Sequence, residues 1–323
     1  SDIYYPDYDG IILMYPRPDG TYHTGWTSIG KSDRETPDGR VSLYPMWSLF
    51  PPINELDRYG CSAIGTMESC KIPEIAHEIG HNLEVMHANL LNCSLDSNPH
   101  NKDCSSLESR DLYDIMGLST GGQGGKRSLY HFNAYNKNFF GWFNTNDTME
   151  VSQSGIYEIY PLELENSLPK AIKISKFEDS NDYYIEYRQP IGFDSNFSGG
   201  EVTRGALIHL YREWFRWRSP QLIDVHPPVF GSPDLFTIKP GEKYTDDILG
   251  FSILTTSATS EKLTLNITFF PSICQRNNPD IIIQMDNFGE NIPFSITNND
   301  VSCPRFFKLS LLNESLSREE IVK

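Results

Sequence analysis

The stretch from Ile72 to His87, IPEIAHEIGHNLEVMH, constrains this chain more than any other. His77 and His81 are four residues apart, so on a helix they share a face and both imidazoles can reach one ion. Glu78 stands beside that face, where its carboxylate can take a proton from a metal-bound water without occupying a ligand position. His87 lies too far beyond His81 for the same face. The chain must leave the helix near Leu83 and turn back to bring a third nitrogen to the ion. Three protein ligands leave a position for water, the arrangement of a catalytic zinc rather than a closed structural one. Chance is a poor account of the pattern, since H-E-x-x-H arises in about one in a hundred chains of this composition, and the third His at fixed spacing is roughly forty-fold rarer still. The flanking residues favour a helix: Pro73 suits a first helical position, Glu74 the positive end of the dipole, and Ile72, Ile75, Ala76, Ile79 and Leu83 form an apolar stripe.

The three histidines followed by Asp114-Ile115-Met116-Gly117 resemble the metzincin clan of zinc peptidases, and within it the gametolysin family of secreted metallopeptidases. YDIMG at 113–117, HFNAYNKNFFGW at 131–142 and YYIEYRQPIGFD at 183–194 carry the resemblance, which covers residues 70–210. It implies that Met116 is a Met-turn methionine forming an apolar floor under the zinc. It also implies that the segment after Met116 walls the pocket for the residue beyond the cut bond, and that the Trp26 region is an edge strand lining a cleft. One position departs from the clan: Glu84 stands where its members have Gly. A left-handed backbone there costs an ordinary residue roughly 1 kcal/mol, little beside the binding energy of a three-histidine site. Glu84 is therefore expected to take that conformation with its carboxylate towards solvent.

With 323 residues the chain has room for two or three domains. The formal charge of −16 and a pI near 4.9 argue against a nucleic-acid partner and against attraction to anionic lipid. No apolar run is long enough for a membrane span, and nothing near Ser1 reads as a signal peptide, which suits a processed chain. The six cysteines form local couples by sequence, Cys61 with Cys70, Cys93 with Cys104, and Cys274 with Cys303, and none makes a C-x-x-C metal pair. An even count suits disulfides in an oxidising compartment. Sequons at Asn92, Asn146, Asn196, Asn266 and Asn313 compare with about three expected by chance, so they favour glycosylation only weakly.

The first sixty residues read as short strands between turns such as Pro18-Asp19-Gly20, with Trp26 and Trp47 as core aromatics on general grounds. Residues 90–114 read as a loop pinned by Cys93 and Cys104, with His100 in solvent, and Gly121–Gly125 as a flexible loop lacking the Walker spacing. A helix over 129–143 closes a catalytic domain at 145. Residues 146–270 alternate as a β-sandwich does, for instance at Ile156–Tyr160 and Tyr183–Tyr187. There Trp214, Phe215 and Trp217, interleaved with arginines, read as edge-strand packing ahead of a ligand surface for sugar or peptide. Residues 271–323 resemble a small immunoglobulin-like module stapled by Cys274 and Cys303, ending in a frayed SLSREEIVK.

The fold expected is thus an α+β zincin-like (metzincin) domain over 1–145, an all-β sandwich over 146–270 and a small immunoglobulin-like β module over 271–323. The function expected is a secreted, monomeric zinc endopeptidase acting on extracellular or cell-surface (glyco)proteins. Zn2+ sits on His77, His81 and His87, Glu78 is the general base, and no Tyr is assigned as a transition-state donor. The alternative is a glycan- or cell-surface-binding protein whose zinc site is structural or weakly active, and Glu78 argues against it because a structural site needs no base.

Overall fold

A computed structural model describes residues 4–16, 25–50, 67–93, 99, 104–117, 129–176, 181–197, 200–212, 219–226, 236–272, 280–283, 294–297, 299, 307–310 and 319–322. The short extended runs near the N-terminus become one four-stranded sheet. Its centre is β4 (Gly39–Phe50), with β1 (Gly10–Pro16) parallel to it and β2 (Gly25–Thr27) and β3 (Ser32–Thr36) antiparallel. β2 is an edge strand and Trp47 is half-buried. Leu43 and Met46 of β4 are buried, and helix α1 (Met67–Asn82) packs on β2 and β4. Thr27 Oγ1 donates to Asn82 Oδ1 across that contact at 2.6 Å.

Two details of α1 differ from the sequence reading. The helix begins at Met67, so Pro73 sits inside it and removes one intrahelical bond instead of opening the first turn. The expected apolar stripe is not the buried face either, since Ile72 and Ile79 are 50% and 40% exposed. The buried positions Glu74, Glu78 and Asn82, four apart, form a polar face instead.

The alternating segments build a sandwich. One sheet has seven strands in the order β6 (Ser105–Leu107), β5 (Asn89–Asn92), β12 (Gln221–Ile223), β11 (Ala206–Arg212), β10 (Asn181–Tyr187), β9 (Ala171–Lys176), β7 (Thr148–Glu150). The other has four, in the order β13 (Lys243–Asp246), β14 (Phe251–Ala258), β15 (Leu263–Phe269), β8 (Gly155–Ile159). Between them lies the main core, where Ile172, Tyr183, Ile185 and Ile208 meet Phe251, Ile253, Leu265 and Ile267. The boundary expected at 145 does not divide this sheet, because β5 and β6 precede it and the other five strands follow it. The physical reason is the parallel pairing of β5 with β12, which joins the chain just after His87 to the sandwich.

The far face of the seven-stranded sheet is also covered. Leu207 and Leu222 pack with Tyr113, Tyr130 and Phe197, while Tyr184 packs on Tyr135 of helix α2 (Ala134–Phe139). That helix is shorter than the 129–143 expected. Asn133 caps its start by accepting from Asn136 N at 2.9 Å, and Gly141 at φ 70° follows its end. In the C-terminal part, β16 (Asp280–Ile283) pairs with β17 (Phe294–Thr297), and β18 (Phe307–Ser310) with β19 (Glu319–Val322). The end expected to be frayed therefore contains a strand. Among the described residues these are two separate hairpins, short of the immunoglobulin-like module expected.

Candidate metal centre

α1 presents His77 and His81 one turn apart and ends at Asn82. The chain then reverses through Glu84 at φ 69°, with Glu84 N donating to His81 O at 2.9 Å and Val85 N to Gly80 O at 3.2 Å. Glu84 thus takes the left-handed conformation its position demands and is exposed. Its carboxylate lies along Gly30, close enough for a Cβ there to touch Oε1 at 3.4 Å. This reversal brings His87 to the helix, with the three ring centroids 4.9–5.2 Å apart. One nitrogen from each ring lies within 4.8 Å of the other two, and neither Glu78 nor Glu84 belongs to that group.

The other nitrogen of each ring is held. His77 Nδ1 is 2.8 Å from Ile115 O, His81 Nδ1 2.9 Å from Val85 O, and His87 Nδ1 2.9 Å from Glu108 Oε1. All three partners accept only, so each Nδ1 donates, which in the neutral ring leaves Nε2 as the nitrogen with the lone pair. Burial lowers the pKa of His81 and favours its neutral form. The donor set fits a divalent metal ion that prefers imidazole. Glu78 is buried beside the donors.

Met116 lies under the helix. A Cβ on Gly80 would come within 2.2 Å of its Sδ, so the close approach requires glycine. The turn that carries it is built by buried polar groups: Asp114 Oδ1 accepts from Met116 N at 2.5 Å, and Oδ2 from Asn133 N at 2.6 Å. A Cβ on Gly117 would meet Asp111 O at 1.7 Å, so this turn also tolerates no side chain there. Asp111 in turn bonds His209 Nε2 of β11 at 2.8 Å. The third histidine is fixed from the sandwich, where Ser219 Oγ donates to His87 O at 2.6 Å and Asn89 N to Pro220 O at 2.9 Å.

Glu108 is the site residue that sequence reasoning missed. Its only signal was its place just beyond Cys104. The Cys93–Cys104 disulfide, expected from sequence, joins the two ends of the loop before β6. Beyond β6, Ser109 is held at φ 55° by its N–H on Asn89 Oδ1 at 2.9 Å, which sets Glu108 against His87. Cys70 lies in α1, while its expected partner Cys61, the couple Cys274–Cys303, His100, Gly121–Gly125 and the cluster around Trp214 lie outside the described residues.

The buried charges behind the site make stability depend on pH. Burial, with Asp111 nearby, raises Asp114 to about 7, and burial with a hydrogen bond to Asp194 raises Glu163 to about 9. Burial opposes the charge on His209, yet Glu186 and Asp111 hold its pKa above the usual value. Each of these folded-state values exceeds the unfolded one, so each group contributes stability that is lost as pH rises through its folded pKa. His131, lowered by burial to about 4, acts oppositely but only below about pH 6.5, and Lys137, lowered by burial to about 8, only above about pH 8. Between pH 6.5 and 8 the raised groups therefore dominate. One proton is about 1.4 kcal/mol per pH unit, so Glu163 alone should cost about 2 kcal/mol over that window. Urea unfolding of metal-free protein should show the decline and Glu163→Gln should flatten it. Stability that holds level or rises from pH 6.5 to 8 would contradict the assignment.

No helix among the described residues is long and apolar enough to cross a membrane. Comparison with protein-family models, with curated proteins and with solved structures finds no match, and the site rests on its own geometry.

Proposed function

We propose that the chain is a secreted zinc endopeptidase of zincin-like α+β construction, hydrolysing peptide bonds in extracellular or cell-surface proteins. The observation that carries this reading is the convergence of three imidazoles, each with its Nδ1 held by an acceptor, next to a buried carboxylate that is not one of the donors. His77, His81 and His87 would hold the ion, and zinc so bound supplies a water of lowered pKa and polarises a carbonyl. Glu78 takes the water's proton and returns it to the leaving amine. Met116 packs on Gly80 and keeps the helix in place without meeting substrate. Glu84 lies along Gly30 and is not one of the donors. The Cys93–Cys104 bond supports an oxidising compartment and hence secretion.

Zinc analysis and casein zymography with and without chelator test the reading together. Expected are one zinc per chain, cleavage abolished by chelator and zinc lost in His81→Ala. A zinc-loaded, folded chain that cleaves no member of a broad peptide library would mean that the site is structural. Glu108 gives a finer check, because a carboxylate on a ligating imidazole is worth about 10- to 100-fold in metal affinity. Glu108 is 75% exposed at its side chain, so the low end applies. Glu108→Ala should weaken zinc binding about ten-fold in a chelator competition. Unchanged affinity would remove Glu108 from the site.

A further inference from the structure

A cavity of about 480 Å³ opens beside α2, walled by Trp142, Phe143 and the turn at 162–167. None of the metal donors lines it. Its cation is incompletely satisfied. Lys137 Nζ lies 3.3 Å from His131 Nδ1 and 3.4 Å from Leu162 O, which leaves its third N–H without an acceptor among the described residues. The carboxylates nearest it are engaged elsewhere, Glu163, Glu186 and Asp194 all on Arg188 at 2.6–3.2 Å. Lys170, the other cation of the wall, is bound by Asp147 at 2.5 Å and by Asn166 O at 2.6 Å. Burial lowers Lys137 to about 8, so it is charged at neutral pH yet short of counter-charge. Burial drives His131 down to about 4, which makes it a neutral acceptor and not a second cation.

We propose that this cavity binds a small organic carboxylate, with its carboxyl group on the Lys137 ammonium and an apolar body against Trp142 and Phe143. The volume falls in the range of small-molecule sites, and aromatic side chains set beside a cation short of counter-charge are their usual chemistry. A monoanion balances one ammonium. A phosphate dianion would also face Asp147 and Glu165 in the same wall, and a neutral ligand would leave the ammonium uncompensated.

Titration of benzoate and hexanoate into the full chain at pH 7, followed by calorimetry or protein-observed NMR, tests this, with benzamide and inorganic phosphate as comparators. Expected is saturable binding with a Kd below about 1 mM, at least about ten-fold tighter than either comparator. Lys137→Met should weaken binding at least about ten-fold. Trp142→Ala, at a side chain 54% exposed and so safe for folding, should weaken it a few-fold. No saturation by about 10 mM on folded protein, equal binding of benzamide, or undiminished binding by Lys137→Met would each overturn the proposal. Should Lys137→Met fail to fold, the comparison of benzoate with benzamide and the Trp142→Ala titration decide it. None of these readouts involves the metal centre or peptide cleavage.

Discussion

Glu78→Gln keeps its metal and its fold and lowers peptide cleavage by at least about a hundred-fold, the scale of general-base removal. The substitution is close to isosteric and costs little helix propensity, so α1 should persist. Glu78 lies outside the group of converging nitrogens, so the donors should persist as well. What is removed is a buried carboxylate on the helix that carries His77 and His81, the group assigned to receive the proton. A hundred-fold loss is about 2.7 kcal/mol of transition-state stabilisation, well above what a small shift of a packed helix would produce. The measurement is kcat/KM on a cleaved peptide, alongside zinc content and thermal unfolding. A loss of only a few-fold with full zinc content would take the base role away from Glu78. A loss accompanied by zinc depletion would mean that the carboxylate supports the ligands instead.

Much of this centre was legible because it is local. The spacing of His77, His81 and His87 and the need for a reversal near Leu83 follow from helical geometry over a few residues, the family resemblance singled out Glu84 for the left-handed turn, and the structure supplies both. What supports the donors was not legible, because it arrives from far along the chain. Glu108 is 21 residues from His87 and Ser219 is 132 residues away. The alternation in Tyr183–Tyr187 identified a strand correctly but misled about its second face. Tyr183, Ile185 and Tyr187 face the sandwich core as expected, while Tyr184 and Glu186 are equally buried, against α2. A period of two separates faces and does not say which face is wet. The same limit produced the boundary at 145, since pairing of β5 with β12 leaves no mark in the composition of either.

Arg188→Met should destabilise the chain by about 3–5 kcal/mol, the cost of removing one side of a buried ionic cluster. The Arg188 guanidinium is fully buried and contacts Asp194 at 2.6 Å, Glu186 at 3.0 Å and Glu163 at 3.2 Å. Methionine matches its bulk but leaves three carboxyl groups without their cation. Protonation of Glu163, already raised to about 9, relieves only part of that cost. The effect should reach the metal centre through a continuous set of bonds. Asp194 holds His131 N at 3.0 Å, Glu186 holds Ala134 N at 2.6 Å, and Asn133 between them donates to Asp114, whose other oxygen fixes Met116. At a temperature where the variant is still folded, zinc affinity should therefore fall as well. The exposed pair Lys262–Glu158, at 2.7 Å, provides the contrast: Lys262→Met should leave stability nearly unchanged, because solvent already screens it. Denaturant unfolding of both variants separates the cases. An Arg188→Met chain as stable as the parent would show that the cluster is self-neutralised by protons, whereas normal zinc affinity in a clearly destabilised chain would break the link from Arg188 to the turn beneath the histidines.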